Sequence, residues 1–372
     1  MGPMKVGLPR MHKETGERRD FLPPFVAALC RDGATEVVLE RDYGRSMDME
    51  PAAYLELDPR VRFADHREVF DQDVVAVLRC PSEEAVAWMR PGALLVSMLH
   101  FPTRPSRIQM LDAAGVNALS LDSVRDDTGR RLVENLAAVG WNGVEAAFKE
   151  YAKIHPTFAH PSRRPLRVTC LGSGAVGGYA AHAATRYGDP QLRADMVAKN
   201  VPGVEVTVVD FDLTWHEDYM LTRLEQTDIL IDATSRIDPS RPVIPNPWVA
   251  ALPEEAVILD LSSDPYLPEA DPPLVKGIEG VPHGDLDRWV FTPEDPAWDQ
   301  QPDAVDTTHR RTALSCYAWP GIHPSTCMQV YGEQIEPFMT LVLSMPVAEW
   351  DERHGTHDVR AAARGELSRW RM

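Results

Sequence analysis

The sequence predicts an α/β protein with two units, each built on a parallel sheet. Three observations support this fold class. Short apolar runs alternate with helical patterns along residues 4–121, the alternation resumes at Leu166, and a glycine-rich turn follows the first strand of the second stretch. A chain of 372 residues also suits two domains, since domains usually hold about 100–200 residues.

The first stretch contains five predicted strands and three predicted helices. The strands are at 4–9, 36–40, 74–78, 93–98 and 117–121, and the helices are at 24–32, 82–89 and 107–114. Apolar residues recur on one face of each predicted helix or fill a short continuous run in each buried strand. Strands that alternate with helices in this way form a parallel sheet.

The second stretch follows a long helical pattern at 130–154. Its predicted strands are at 167–171, 205–210, 229–233 and 256–261, and a last long helix is predicted at 325–343. Because the second unit has chain on both sides of it, we expect this last helix to return to the first unit. The domains are therefore predicted as 1–135 with about 325–372, and 136–324.

Composition excludes several classes of protein. With 44% hydrophobic and 25% charged residues the chain is globular, and its net charge of -18 argues against nucleic acid or an anionic membrane as partner. No apolar run approaches the roughly 18 residues of a membrane span. Five widely spaced cysteines without a CxxC pair predict neither disulfides nor a zinc motif. We expect a cytoplasmic protein without a metal site.

The glycine-rich turn predicts a dinucleotide site. Gly172, Gly174 and Gly177 have the GxGxxG spacing between a predicted strand and helix, so the turn can be tight and a pyrophosphate can approach the backbone and the helix N-terminus. An ordinary tight turn is the alternative. The predicted cofactor contacts are Gly172, Ser173, Gly174, Ala175, Val176 and Gly177.

Asp210 ends the next predicted strand and indicates NAD rather than NADP. A carboxylate there accepts hydrogen bonds from the adenosine ribose and repels a 2′-phosphate. The usual gap after the glycines is about 20 residues, whereas here residues 187–203 resemble an insertion. Asp212 is a competing candidate, and an acidic turn after a strand is the alternative for both.

Four further side chains follow predicted strands or lie in a charged run. Arg79 and His100 follow two strands of the first stretch, and Asp264 follows a strand of the second. Ligands of parallel sheets bind at the carboxyl ends of the strands. Together with Arg19 they could grip a carboxylate and transfer a proton. Ion pairs, a turn or a solvated face are the alternatives.

These residues, in this order, resemble the alanine dehydrogenase and saccharopine dehydrogenase (lysine-forming) family, which includes the N-terminal part of proton-translocating transhydrogenase. The matching segments are ERR at 17–19, RCP at 79–81, MLHFP at 98–102, the glycine turn, ILDLSSD at 258–264 and WPGIHPSTC at 319–327. The segments ILDLSSD and DTGRR, at 127–131, look more like the saccharopine branch.

The resemblance implies two doubly wound Rossmann-like domains with a cleft between them, the first discontinuous. It also implies NAD-dependent oxidoreduction at the C–N bond of an amino acid. His100 would shuttle the proton, Asp264 would polarise water or bind the developing ammonium, and Arg19 would bind the substrate. The expected substrate is a small molecule, either an amino acid or an oxo acid or imine, and we also expect a homo-oligomer.

Arg79 departs from the family, which has lysine at this position. Arginine does not deprotonate in proteins, so Arg79 is predicted to anchor a carboxylate while His100 does the acid–base work. The departure leaves two alternatives open. The chain is either a saccharopine- or opine-type reductase of a secondary imine, or a non-catalytic NAD-binding protein.

Overall fold

A computed structural model describes residues 4–236, 238–270 and 272–371. The chain divides into two compact units, one made of Met1–Asn135 with His323–Met372 and the other of Leu136–Ile322. Within the described ranges, every helix is too short or too polar to cross a bilayer.

The first unit contains a six-stranded sheet in the order β3-β2-β1-β4-β5-β6, and every pairing is parallel. The strands are β1 (Met4–Leu8), β2 (Ala34–Glu40), β3 (Val61–Ala64), β4 (Val74–Arg79), β5 (Leu94–Met98) and β6 (Asn117–Ser120). The helices are α1 (Pro23–Arg31), α2 (Ala52–Leu55), α3 (His66–Phe70), α4 (Glu83–Val86) and α5 (Ser106–Ala114).

The second unit begins with α6 (Leu136–Ile154) and has the sheet order β11-β12-β10-β9-β7-β8. Its strands are β7 (Leu166–Leu171), β8 (Val204–Val209), β9 (Ile229–Asp232), β10 (Val257–Asp260), β11 (Val290–Phe291) and β12 (Thr312–Ser315). Its other helices are α7 (Ala175–Ala184), α8 (Pro190–Ala198), α9 (Phe211–Thr214), α10 (Glu217–Leu224) and α11 (Asn246–Val249). The first unit is completed by α12 (Pro324–Ser344) and α13 (His357–Gly365).

Both sheets are covered on their two faces, as doubly wound folds require. Along β4, Val74 and Ala76 pack in the cluster that contains α1 and α12, whereas Val75 and Val77 pack with α4 and α5. The same alternation runs along β9, where Leu230 faces away from Ile229 and Ile231. The period of two in a strand explains why continuous apolar runs mark these strands.

The predicted fold class is confirmed, with differences in detail. One edge strand, β11, pairs antiparallel with β12, so the second sheet is not wholly parallel. The helix predicted at 130–154 begins at Leu136. The sequence reading also missed β3, which is only four residues long, and α8, which lies inside the apparent insertion and begins at the N-cap Asp189.

Candidate functional site

Two predicted site residues, Arg79 and His100, lie at the ends of neighbouring strands on the carboxyl edge of the first sheet. Arg79 is the last residue of β4 and pairs in register with Met98 of β5, so His100 lies only two residues further along the neighbouring strand. β6, the next strand, ends just before Asp122. Three adjacent strand ends therefore supply a guanidinium, an imidazole and a carboxylate.

His100 is held from two sides by Asp122. Its backbone N–H donates to Asp122 Oδ1 over 3.0 Å, and its Nδ1 is 3.3 Å from Asp122 Oδ2. His100 has a φ of +50°, a left-handed conformation that is uncommon for a residue with a side chain. The imidazole is 46% exposed while the Asp122 side chain is only 4% exposed. The buried Asp122 thus orients the ring, and the exposed part of the ring is accessible to a ligand.

Asp122 was not predicted as a site residue. Burial alone would raise its pKa, but the hydrogen bond and charge of His100 outweigh burial and lower it to about 2. Ser120 Oγ also donates to Asp122 Oδ1, over 3.0 Å. Asp122 directly follows the predicted strand at 117–121, so its position at a strand end was the signal that could have identified it.

Arg19 is buried and engaged by Glu17. Arg19 Nε donates to Glu17 Oε1 over 2.7 Å, and a second guanidinium nitrogen contacts Glu17 Oε2, which makes the pair bidentate. Burial would lower the pKa of Arg19, but the hydrogen bond and charge of Glu17 raise it instead. The charge of Arg19 also acts on the thiol of Cys327 in α12, where it opposes the rise in pKa that burial causes. A substrate carboxylate at Arg19 would therefore share the guanidinium with Glu17.

Arg79 is more accessible than Arg19. Its side chain is 34% exposed, and one guanidinium nitrogen lies 3.1 Å from Glu14 Oε1. Its charge also acts on Glu17, so the two arginines lie near the same carboxylate. Of the two predicted anchoring residues, Arg79 has the guanidinium that a ligand reaches more easily.

In the second unit, the glycine turn meets the steric requirements of a dinucleotide site. Gly172 has a φ of +94°, and a Cβ there would lie 2.7 Å from the carbonyl oxygen of Ala233. A Cβ on Gly177 would lie 2.0 Å from the Gly172 carbonyl oxygen. At Gly174, the N-cap of α7, a Cβ would meet nothing within 4 Å. The outer glycines allow close packing, and the middle one leaves space for a phosphate.

Asp210 lies beside this turn. Its carboxylate accepts a hydrogen bond from Ser173 Oγ and another, of 2.8 Å, from the Phe211 backbone N–H. These two hydrogen bonds lower the pKa of Asp210, and the bond from Ser173 has the larger effect. Asp210 is the N-cap of α9, and Asp212 lies in the first turn of that helix. The residues of the turn and Asp210 could therefore hold the pyrophosphate and ribose of NAD, as the sequence predicts.

Asp264 is engaged in an ion pair that the sequence did not indicate. Its Oδ2 lies 2.6 Å from a guanidinium nitrogen of Arg236. Arg236 is nearly buried, whereas the Asp264 side chain is 37% exposed. Asp264 is therefore a partnered carboxylate, and Arg236 is a further candidate at this edge of the sheet.

A buried charged cluster at the ends of β9 and β10 was also missed. Lys276 Nζ lies 2.5 Å from Asp260 Oδ2 and donates to Ser315 Oγ over 3.1 Å. Lys276 lowers the pKa of Asp260 against the effect of burial, whereas burial and the charge of Asp260 raise the pKa of Asp232 to about 6. Asp232 and Asp260 are the last residues of β9 and β10. An aspartate at the end of a short apolar strand was the sequence signal that could have identified this cluster.

The N-terminal part of the chain matches a known family. Residues 7–138 match the model of the alanine dehydrogenase/PNT N-terminal domain. The chain is 26% identical to NAD(P) transhydrogenase subunit alpha of Haemophilus influenzae over 191 residues, which cover 50% of this chain and 37% of that protein. It is 27% identical to alanine dehydrogenase of Bacillus subtilis over 191 residues, 50% of each chain. The match thus spans half or less of these curated relatives.

Two solved structures share the fold. An L-alanine dehydrogenase superposes with a TM-score of 0.71 at 17% identity, covering 98% of this chain and 94% of that chain. A transhydrogenase from Sinorhizobium meliloti gives 0.62 at 15% identity, covering 91% and 94%. The chain therefore shares an N-terminal domain with the alanine dehydrogenase/PNT proteins over residues 7–138, and its fold with the two solved structures.

Proposed function

We propose that this protein is an NAD-dependent oxidoreductase that acts on the C–N bond of an amino acid. The observation that carries the proposal is the His100–Asp122 pair beside Arg79. It joins a ligand-accessible imidazole, a buried orienting carboxylate and a guanidinium at neighbouring strand ends. An alanine dehydrogenase among its relatives supports this class of reaction.

Each residue then has one chemical role. Arg79 grips the substrate carboxylate, for which the guanidinium geometry is suited. Asp122 holds Nδ1 of His100, so Nε2 is the ring nitrogen that exchanges a proton with the substrate, and the buried charge stabilises the imidazolium. To polarise water or bind the developing ammonium, as predicted, Asp264 would first have to break its ion pair with Arg236.

The cofactor would be held by the glycine turn and Asp210. When bound, NAD supplies the hydride acceptor, and its reduced form the donor. The open space at Gly174 admits the pyrophosphate, while the carboxylate of Asp210 favours a free ribose over a 2′-phosphate. NADP is therefore the weaker ligand in this proposal.

The test is a nicotinamide absorbance assay on the full chain. It pairs NAD with a panel of amino acids, and NADH with oxo acids plus either ammonia or a second amine. We expect His100→Gln to lower kcat by about 100-fold or more, since positioned acid–base groups contribute about 10²–10⁴-fold. NAD affinity should not change.

The matched control is His354→Gln, at an exposed histidine that pairs with the surface carboxylate of Asp351. It should retain wild-type activity. Turnover with the second amine but not with ammonia would support the secondary-imine alternative. NAD binding without turnover on any member of the panel would support the non-catalytic alternative and contradict the proposal.

A further inference from the structure

We propose that His12, Glu40 and His66 form a binding site for a divalent transition metal ion, best matched to Zn²⁺. Their three ligand atoms all lie within 4.8 Å of one another. The site lies wholly in the first unit, and the inference does not rest on the proposed dehydrogenase reaction. Sequence spacing did not suggest it, because the three residues lie far apart in the chain.

The sheet brings these residues to one edge. Glu40 is the last residue of β2 and pairs with Ala64 of β3, so His66 lies two residues beyond its partner. On the other side, Leu8 of β1 pairs with Leu39, and His12 follows in the next segment. The three neighbouring parallel strands therefore deliver all three side chains from their carboxyl ends.

Glu40 occupies the centre of the cluster. Its Oε1 lies 2.5 Å from His12 Nε2, and its Oε2 lies 2.7 Å from His66 Nδ1. The backbone N–H of Arg10 donates to Oε2 over 2.7 Å, which restrains the carboxylate. Since each His–Glu contact shares a proton, a cation that binds both ring nitrogens and the carboxylate would replace those protons.

The rings are already oriented for ligation. His66 makes edge contacts with Phe70 and Trp88, at centroid distances of 5.2 and 5.5 Å, which restrict its rotation. His12 and His66 meet at an interplanar angle of 89° and a centroid distance of 4.6 Å. Small side-chain shifts would bring both nitrogens and one carboxylate oxygen to zinc-ligand distances of about 2.0–2.2 Å.

The donor set indicates which ion the site selects. Two imidazoles and one carboxylate suit Zn²⁺, whereas Mg²⁺ and Ca²⁺ prefer all-oxygen ligands. Three protein ligands leave a fourth position for water or another ligand. That position has room, because His12 and His66 line a cavity of about 160 Å³ that also contacts Arg79 and Cys80.

Zn²⁺ titration of the full-length, chelator-treated chain by calorimetry tests the proposal. We expect one equivalent to bind. His12→Ala and His66→Ala should each weaken the affinity by more than the roughly 10–100-fold that is lost when only a residue orienting a metal ligand is removed. Co²⁺ bound in place of Zn²⁺ should give the visible absorption of a tetrahedral site, lost in both variants.

Two controls identify the ligands. His354→Ala removes an exposed histidine that pairs with Asp351, and Cys80→Ser removes a thiol from the same cavity; neither should change Zn²⁺ binding. His12 is 52% exposed, so its variant should fold normally, as circular dichroism can verify. Stoichiometry below one equivalent, or wild-type affinity in His12→Ala, would overturn the site and leave a hydrogen-bonded cluster.

Discussion

Arg79 stands where the family that this chain resembles has lysine, and this replacement changes the chemistry available at the position. A guanidinium stays protonated, so it anchors carboxylates but cannot exchange protons at neutral pH. The structure pairs it with Glu14 and leaves a third of its side chain exposed. The carboxylate of Asp122, in contrast, contacts His100 and orients its imidazole. In the proposed function the histidine therefore does the acid–base work and the arginine binds the carboxylate.

Substitution of Arg79 separates these roles. Arg79→Met should raise KM for a carboxylate substrate by about 10–100-fold, because a charge-assisted bidentate contact is lost. Arg79→Lys should recover part of that loss, since it restores the charge without the planar fork. Steady-state kinetics with the best substrate of the panel measure both. A fall in kcat with KM unchanged would show instead that Arg79 acts on the transition state.

The His100–Asp122 pair also makes a pH-dependent contribution to stability. The pKa of Asp122 is lowered to about 2 in the folded chain, below the value of about 3.9 for an unfolded aspartate. The stabilisation is thus fully present above about pH 4 and lost as the pH falls toward 2. The free energy of unfolding of Asp122→Asn should be lower by roughly 2 kcal/mol near pH 6.

Urea unfolding of wild type and variant across this pH range measures the effect. The difference between the two should shrink as acid protonates Asp122 in the wild type. A difference that stays constant down to pH 2 would exclude the carboxylate charge as its cause.

At the scale of elements, the glycine turn and the DTGRR segment differ in what they indicate. The turn has two positions where a side chain cannot fit and one open position, as a phosphate-binding turn requires. In DTGRR, Asp127 pairs with Arg360 and Arg364 of α13. This segment docks α13, so its likeness to the saccharopine branch carries little weight for substrate choice.

Two alanine substitutions in the turn should have opposite consequences. Gly177→Ala should destabilise the chain by about 1–3 kcal/mol, because its Cβ would strike a backbone carbonyl. Gly174→Ala, whose Cβ meets nothing, should change stability by less than about 1 kcal/mol. It should still weaken NAD binding about tenfold or more, since the methyl group occupies the phosphate approach.

Thermal unfolding and NAD titration of the two variants provide the comparison. Each variant serves as the control for the other, because both replace a glycine of one turn with alanine. Unchanged NAD affinity in Gly174→Ala would argue that the phosphate does not approach this backbone.

At the scale of the whole molecule, each unit has its own covered sheet and its own hydrophobic clusters. The first unit is assembled from both ends of the chain, with α12 and α13 packed beside β-strand residues from the N-terminal segment. The assignment of substrate to this unit and of cofactor to the other stays a prediction.

Hydrogen exchange tests that assignment on the intact protein. Addition of NAD should slow amide exchange at 172–178 and 209–212, because binding orders those backbone groups. A carboxylate substrate or analogue should slow exchange around Arg79 and His100. Protection by NAD confined to the first unit would contradict the assignment of the cofactor site.

Local pattern was enough to predict much of the fold. Apolar runs and helical periodicity located five of the first sheet's six strands near their final bounds, along with the glycine-rich turn after β7. The strand at 61–64 was not predicted, because a segment of only four residues that includes an arginine shows little hydrophobic periodicity. The positions of Arg79 and His100 at strand ends also follow from pattern, since a parallel sheet gathers its carboxyl ends at one edge.

The sequence by itself determined the α/β class, the glycine turn and the strand-end positions of Arg79, His100 and Asp210. Only the tertiary structure decided their partners: Asp122 behind His100, Glu17 on Arg19, Arg236 on Asp264, and the joining of His12, Glu40 and His66. The physical reason is the sheet order, since β3-β2-β1-β4-β5-β6 makes neighbours of residues that are distant in the chain, and local periodicity carries no record of that order.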